Sequence, residues 1–275
     1  MLINSDILTC IFRFLNSDDL IRVARVCKKW HSISRDEPAW KHRDGFNLLF
    51  PSPMWYNYIM HVFQKKLGKK LGMKESGKNL FTFNTIDLSG KNLVNVPPEL
   101  GNLTNLNYLD LNNNRLTSVP PELGNLVKLT ELYLKYNKLA SVPPELGNMG
   151  NLRCLLLQYN QLTSISLKLG NLDYLDLDNN QFADVSSKLV NLTHLDLNGN
   201  QLTSIPPELG NLVNLTHLVL NNNQLTSIPP ELGNLTRLDW LELNDNQIVD
   251  VPPELCYLTC LTYLDLSDNQ IVNIP

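Results

Sequence analysis

The chain has 275 residues, of which 43% are apolar and 18% charged, and its net charge is −4. An apolar content this high supports a sizeable core, which excludes disorder as the state of most of the chain. No apolar run approaches the roughly 20 residues of a membrane helix, and the first residues lack the basic start and long apolar core of a signal peptide. We therefore expect a protein of the cytoplasm, with the nucleus as the alternative compartment, that does not enter a membrane.

Charge is divided unevenly along the chain. Residues 1–80 contain 14 Lys or Arg and 7 Asp or Glu, whereas residues 81–275 contain 9 and 20. Two segments of opposite charge indicate two domains with different tasks. The cysteines fall within apolar patterns and show no paired spacing, which favours a reducing compartment. They are Cys10, Cys27, Cys154, Cys256 and Cys260. Cys256 and Cys260 belong to a leucine-rich frame, which predicts buried core thiols at these two positions.

Residues 1–44 are predicted to form a domain of three short helices, because their apolar residues recur at spacings of three and four. About forty residues cannot enclose so many large apolar groups alone, so we expect another protein to cover some of them. The apolar residues at the start and in the first helix are Ile3, Ile7, Leu8, Ile11, Phe12 and Leu15, and those of the second helix are Leu20, Val23, Val26, Cys27 and Trp30.

Residues 45–82 are predicted to be a helical linker that caps the following domain. Pro53 can open a helix, and Trp55, Ile59 and Phe63 give that helix an apolar side. Five lysines follow between positions 65 and 74. A solvated basic linker is favoured over a nuclear address or a nucleic-acid contact, so nucleic acid is not an expected partner.

Residues 83–275 repeat the frame L-x-x-L-x-L-x-x-N-x-L about nine times, at intervals of 23 or 20 residues. In one repeat, Leu109 and Leu111 alternate with polar residues, which predicts a short strand with its leucines inward. The amide of Asn114 can then bond the backbone groups that a tight bend leaves unpaired. The proline pair of "SVPPEL" predicts an extended or briefly helical return segment.

Two groups of variable residues are predicted to lie on the face of the strands. The first is aromatic and aliphatic, the composition of an interface anchor, and the second is acidic and aromatic, which suits a basic partner. Alternatively, the acidic residues only keep the array soluble and the tyrosines are tolerated strand formers. The first group is Tyr133, Tyr136, Leu156 and Tyr159; the second is Tyr174, Asp176, Asp178, His194, Asp196, His217, Trp240 and Glu242.

The sequence contains no convincing catalytic set. No serine lies in a nucleophile elbow, and no glycine-rich loop with a following Lys-Ser or Lys-Thr suggests phosphate binding. His194 and His217 occupy equivalent positions in neighbouring repeats, but two histidines without a third fixed ligand favour a polar binding surface over a metal site. We therefore predict a protein that is not an enzyme and needs no cofactor or metal.

The repeat frame resembles the leucine-rich-repeat family in its short form of 20 to 23 residues. The resemblance covers residues 83–275 and implies an α/β solenoid, curved into an arc with a parallel sheet on its concave face. Two repeats have only 20 residues and carry Ser166-Leu167 and Ser186-Ser187 instead of the proline pair. We expect these shorter outer segments to flatten the arc locally, and the last repeat either to present an exposed edge or to pair with another chain.

The N-terminal domain resembles the F-box over residues 3–41. The stretch "INSDILTCIFRFLNSDDLIRVARVCKKW" follows the family order of an isoleucine-leucine helix, the Asp19-Leu20 pair, and Val26-Cys27 followed by Trp30. Trp40 matches the closing tryptophan, and Ile3-Asn4 stands where the family begins with Leu-Pro. The resemblance implies that this small domain is an all-helical F-box that precedes the solenoid.

The two resemblances together imply a substrate-recognition subunit of a Skp/cullin/F-box ubiquitin ligase. The F-box would bind a Skp-type adaptor, and through it a cullin, with the apolar residues of its first two helices. The concave face would bind an unidentified target protein of basic character. The alternatives are a leucine-rich-repeat scaffold without a ligase role and a decoy that competes for the adaptor. The target-binding residues would be Tyr133, Tyr136, Leu156, Tyr159, Tyr174, Asp176, Asp196, His217, Trp240 and Glu242.

Overall fold

One short strand from each repeat joins a single parallel sheet in the computed structural model, which describes residues 84–165, 170–185, 189 and 191–273. The sheet has nine strands in chain order, so the chain advances by one repeat at each turn of a solenoid. The strands are β1 (Thr85–Asp87), β2 (Tyr108–Asp110), β3 (Glu131–Tyr133), β4 (Cys154–Leu156), β5 (Tyr174–Asp176), β6 (His194–Asp196), β7 (His217–Val219), β8 (Trp240–Glu242) and β9 (Tyr263–Asp265).

The chain divides into two compact units, residues 1–82 and residues 83–275. The predicted F-box helices and the predicted linker helix lie outside the described residues. The second unit is the repeat array, and the predicted strands with inward leucines are confirmed there. Leu109, Leu132 and Leu155 pair in register across neighbouring strands, and each is fully buried.

The side chain of the frame asparagine hydrogen-bonds backbone groups inside the solenoid. The Asn137 side chain donates from Nδ2 to the carbonyl oxygens of Leu111 and Leu134, both at 3.0 Å, and accepts from the Leu116 backbone N–H at 3.0 Å. Asn114 makes the same kind of contacts with its own and the preceding repeat. The predicted role of the asparagine amide is confirmed, since these bonds satisfy buried backbone groups that the bend leaves unpaired.

The proline pairs lead into short 3₁₀ helices on the outer side of the array. Pro120 is extended, and Pro121 is the first residue of the helix. A backbone N–H at that position would have no acceptor within the helix, so its absence in proline costs no hydrogen bond. Leu123 then points into the core. The prediction of an extended or briefly helical segment is confirmed in six repeats: Pro98–Asn102, Pro121–Asn125, Pro144–Asn148, Pro207–Asn211, Pro230–Asn234 and Pro253–Tyr257.

The outer segments of the two 20-residue repeats lie largely outside the described residues, so the local flattening of the arc stays a prediction. Leu264 of β9 is 44% exposed, whereas the equivalent Leu241 of β8 is fully buried. Within the described part of the chain, no helix combines the length and the apolar character needed to span a membrane.

The prediction of buried thiols is wrong for Cys256 and Cys260, which are both exposed. The cause is their place in the repeat frame. Cys256 takes the position of Gly233, which the following repeat covers, and no repeat covers it among the described residues. Cys260 takes the exposed position of Arg237 one repeat earlier. Cys154 is half-buried on the face of the strands.

Candidate functional site

The first and third residues of each strand lie on the side of the sheet away from the leucine core. The parallel register aligns them into two columns, as expected from the sequence. The strand-start column is Thr85, Tyr108, Glu131, Cys154, Tyr174, His194, His217, Trp240 and Tyr263; the strand-end column is Asp87, Asp110, Tyr133, Leu156, Asp176, Asp196, Val219, Glu242 and Asp265. Because adjacent strands lie about 4.8 Å apart, both columns are continuous surfaces.

Five aromatic rings stack along the strand-start column from the fifth repeat to the ninth. Their planes are within 26° of parallel, and successive centroids are 5.3, 4.3, 6.3 and 3.7 Å apart. The rings therefore form one nearly parallel row along the column. We call this set the ring ladder: Tyr174, His194, His217, Trp240 and Tyr263.

The hydrogen bonds around the two histidines assign their tautomers. The Thr193 hydroxyl donates to the Asp173 carbonyl at 2.9 Å and lies 2.9 Å from Nδ1 of His194. Having donated its own proton, this hydroxyl accepts from the Nδ1–H of the ring. Thr216 fixes His217 in the same way, donating to the Thr193 carbonyl at 3.0 Å. In the neutral form of each ring, Nε2 is therefore the atom left as an acceptor.

Carboxylates line the strand-end column beside the ring ladder. Asp176 is buried and accepts from Gln158 Nε2 at 2.7 Å and from the Asp178 backbone N–H at 3.1 Å. Burial raises the pKa of Asp176 to about 6; the negative charge of Asp178 adds to this rise, while the hydrogen bond and Lys135 oppose it.

Asp196 stands next to Asp176 on the adjoining strand. Its Oδ1 accepts from the Asn198 backbone N–H at 2.9 Å. Burial, followed by repulsion from Asp176 and Asp178, raises the pKa of Asp196 to about 7. We call Asp176, Asp178 and Asp196 the acidic group. In the part of the chain that the structure describes, none of the three has a cation within salt-bridge distance.

The predicted aromatic and aliphatic cluster is divided between the strands and the bends that follow them. Tyr133 lies beside Leu156 in register on the strands, and its ring meets Tyr108 edge to face at 5.0 Å. Its hydroxyl donates to Glu131 at 2.6 Å, and this bond, together with burial, raises the pKa of Tyr133. Tyr108 was not among the predicted binding residues, although its position one repeat before Tyr133 signals the contact.

Tyr136 and Tyr159 lie in the bend after the strands and stack on one another at 4.5 Å and 16°. Both have φ of +54°, in the left-handed region. We call them the tyrosine pair. This conformation costs roughly 1–2 kcal/mol for a residue with a bulky side chain. The other described repeats fill the same position with residues that tolerate it: Gly90, Asn113, Asn179, Gly199, Asn222, Asp245 and Asp268.

The structure thus brings the predicted residues onto one face of the sheet in three clusters. Tyr174, His217 and Trp240 belong to the ring ladder, and the Trp240 indole N–H donates to Glu242 at 2.7 Å. Tyr263 completes the ladder and was missed, although its aromatic character and column position signal it. The predicted adaptor-binding residues lie outside the described residues. The described residues contain no group of three or more His, Cys, Asp or Glu arranged to hold a metal ion.

Comparison with protein-family models finds an F-box-like domain at residues 5–44. Leucine-rich-repeat models match residues 82–139, 127–182 and 213–271, and a model of two such repeats matches residues 190–234. The repeat matches cover more than half of the chain. No curated protein shows significant similarity to the sequence.

Solved leucine-rich-repeat structures share the fold. A Leptospira interrogans protein, LIC12759, is 36% identical with a TM-score of 0.58, and the match covers 67% of this chain and 54% of that one. The plant hormone receptor RGFR1, solved with RGF2, is 32% identical with a TM-score of 0.54, covering 66% of this chain and 35% of the receptor. Toll of Drosophila, solved with Spatzle, is 28% identical with a TM-score of 0.63, covering 69% and 27%.

This chain therefore spans about half of the Leptospira protein and about a third or less of the two receptors. Together with the nine-stranded parallel sheet, the family models settle the architecture of the chain. It belongs to the leucine-rich-repeat family and carries an F-box-like domain ahead of its repeats, an architecture for binding other proteins.

Proposed function

We propose that this protein is the substrate-recognition subunit of a Skp/cullin/F-box ubiquitin ligase, working in the cytoplasm and nucleus. The F-box-like domain recruits a Skp-type adaptor and through it the cullin, and the strand face of the repeats binds the target. The single observation that carries the proposal is the joining of an F-box-like match at residues 5–44 to a repeat array with a clustered aromatic and acidic face.

Such a receptor contributes proximity and no catalytic residue. Holding a target lysine close to the charged ubiquitin carrier raises its effective concentration, which is a large rate effect in its own right. The array is well suited to this task, because its aligned backbone bonds hold the binding face as one continuous sheet. A face with exposed tyrosines and a tryptophan has the composition of a binding surface.

A polypeptide target for this chain is consistent with the partners of its structural neighbours. Toll was solved in a complex with Spatzle, and the receptor RGFR1 in a complex with the peptide hormone RGF2. The strand face of this chain presents its own residues on the same fold. We therefore assign the target-binding role to that face, with Tyr133, Leu156 and Trp240 among its contacts.

The adaptor assignment is tested by pull-down of the full chain with a purified Skp-type adaptor. We expect a stable one-to-one complex that Leu8→Asp or Leu20→Asp abolishes, because a buried charge without a partner is strongly unfavourable at an apolar interface. Arg22→Ala, on the predicted polar side of the second helix, is the matched control and should bind normally. Absence of binding by the intact, folded chain would sink the proposal.

Receptor and decoy are separated by a second readout. In a reconstituted ligase, a receptor supports ubiquitin transfer to a protein bound on its strand face, and Tyr136→Asn with Tyr159→Asn removes that transfer. Adaptor binding without transfer to any bound protein would instead support a competitor that occupies the adaptor.

A further inference from the structure

The tyrosine pair is not explained by folding. Tyr136 and Tyr159 are 45% and 43% exposed, so neither ring is a core residue. Both hold a left-handed backbone that the other repeats give to glycine, asparagine or aspartate. A residue that strains the backbone without being buried is expected where the side chain serves binding. Their mutual stacking at 4.5 Å makes one rigid aromatic surface out of two side chains.

The surroundings of the pair define what it can bind. Tyr133 and Leu156 lie half-exposed on the two strands that precede the bends. They extend the apolar surface toward the sheet. On the other side, the following repeat brings Asp178 close enough for its negative charge to raise the pKa of Tyr159. Apolar and anionic chemistry therefore adjoin within neighbouring repeats.

Among the described residues, no cation lies within salt-bridge distance of the acidic group, and Lys135 acts on Asp176 only through its longer-range charge. Asp178 Oδ1 accepts from the Asn198 side chain at 2.6 Å, and the remaining described donors to the group are amides as well. Beyond it, the Nε2 atoms of His194 and His217 add further acceptors. This side of the surface is therefore complementary to a donor-rich, positively charged side chain.

We propose that the tyrosine pair and the acidic group form one docking site for an extended peptide segment of a partner protein. The segment places an apolar side chain against Tyr136 and Tyr159 and an arginine or lysine, two to four residues away, against the acidic group. The inference rests on the proposed function and deepens it, since it names the chemistry of the target.

The spacing follows from the geometry of the array. The tyrosine pair belongs to the third and fourth repeats and the acidic group to the fifth and sixth. At about 4.8 Å between adjacent strands, their centres are about 10 Å apart. An extended peptide rises about 3.3 Å per residue, so about three residues separate the apolar anchor from the cation. Arginine fits this site best because its planar fork can bond two acceptors at once.

The test is a selection of random dodecapeptides on the immobilised full chain. We expect recovered sequences to share an aromatic or aliphatic residue followed or preceded, two to four positions away, by arginine or lysine. Synthetic peptides from the selection, measured by fluorescence anisotropy, should bind less tightly as sodium chloride rises, because salt screens the charged half of the site.

Two sets of variants separate binding from folding. Tyr136→Asn with Tyr159→Asn installs the residue that Asn113 and Asn222 show to be tolerated, so this double variant should melt at the same temperature as the parent or higher. It should bind the selected peptides at least about tenfold less tightly, as expected for loss of an interface anchor. Asp178→Asn should weaken only peptides that retain the cation. Asp245→Asn, at the equivalent bend of the eighth repeat, should change nothing.

Recovery of no common motif, of acidic motifs, or of peptides that bind the double variant equally well overturns the inference. The adaptor pull-down is an independent readout, because the tyrosine variants leave residues 1–44 unchanged. Adaptor binding with no peptide motif therefore removes this docking site alone. A peptide motif with no adaptor binding removes the ligase role and leaves the docking site standing.

Discussion

Asn137 uses its whole side-chain amide inside the solenoid, and the equivalent asparagines repeat the arrangement along the array. The Leu116 N–H has only this side chain as its hydrogen-bond acceptor among the described contacts. A frame asparagine is therefore a structural residue, even though its amide could serve as a ligand elsewhere. Function at the residue scale must be sought in the columns and bends.

Replacing Asn137 with alanine should destabilise the array by at least about 2 kcal/mol, because it leaves buried backbone groups without partners. Asn105→Ala is the matched control, since that side chain is exposed and, among the described residues, accepts a hydrogen bond only from Lys128 Nζ, at 3.0 Å. Urea unfolding followed by circular dichroism measures both. Equal stability of the two variants would contradict the structural role of the frame asparagine.

Asp196 should make the array less stable as pH rises. Its pKa is about 7 in the folded chain and 3.8 as its ordinary value, so between these limits the folded state binds more protons than the unfolded state. Stability contributed by protonated Asp196 is therefore present below pH 4 and lost as pH rises to about 7. Asp196→Asn should raise the melting temperature at pH 8 and flatten its dependence on pH.

Thermal unfolding of the variant and the parent at pH 5 and pH 8 checks this expectation. The comparison cancels the contribution of His194, whose pKa is lowered by burial and by His217. Asp265→Asn is the control in the same column. Hydrogen bonds from Ser267 lower the pKa of Asp265, so this change should not stabilise the protein at pH 8.

At the scale of the element, the close packing of the outer 3₁₀ helices depends on their glycines. A Cβ on Gly124 would lie 2.2 Å from the Glu145 carbonyl oxygen, which belongs to the backbone of the next repeat. Gly101 and Gly210 face the same kind of contact, at 2.0 and 2.3 Å. Glycine is thus required at this place by the approach of the neighbouring repeat and not by an unusual φ.

Gly124→Ala should destabilise the array by about 1–3 kcal/mol, because the two repeats must move apart to admit the methyl group. Gly150→Ala is the matched control, since a Cβ there meets nothing within 4 Å. It should be neutral or stabilise by up to about 1 kcal/mol. Chemical unfolding of both variants measures the difference, and a similar loss in both would refute the contact.

The strands and the outer turns could be predicted from the sequence, because every repeat has the same pattern of residues. Alternating leucines predict the strands, and the proline pair predicts the outer turn. The tyrosine pair could not be recognised as strained, because φ is not visible in one repeat. A signal exists in the column of Gly90, Asn113, Asn179 and Gly199, whose residue types favour a left-handed bend. The partners of each ring depend on side-chain directions, which spacing alone does not give.

The exposure of Leu264 in β9 indicates where local unfolding of the array begins. Leu264 is 44% exposed, whereas Leu241 and Leu218 in the preceding strands are fully buried. A repeat is stabilised chiefly by the core that it buries against its neighbours, so a repeat whose strand leucine is half-exposed is less stable than one whose leucine is buried. Opening of this chain at low energetic cost should therefore begin at the ninth repeat and advance toward the eighth.

Native-state hydrogen exchange measures this order. Backbone amides of Tyr263–Asp265 should exchange faster than those of Tyr108–Asp110 and Trp240–Glu242, which lie between neighbours on both sides. Uniform protection from the second repeat to the ninth would contradict the prediction. Adding a selected peptide should protect the third to sixth repeats and leave the ninth unchanged, which joins this measurement to the docking site.

The left-handed bend also gives the repeats equivalent positions at which one side chain can be exchanged for another. Asn113, Asn222, Asp245 and Asp268 expose the same backbone position to the solvent, and the tyrosines of the third and fourth repeats show that a large ring can occupy it. Binding specificity can therefore change by substitution at one position per repeat, with no change to the core. Asn222→Tyr with Asp245→Tyr would transplant the aromatic surface four repeats along the sheet, beside the ring ladder.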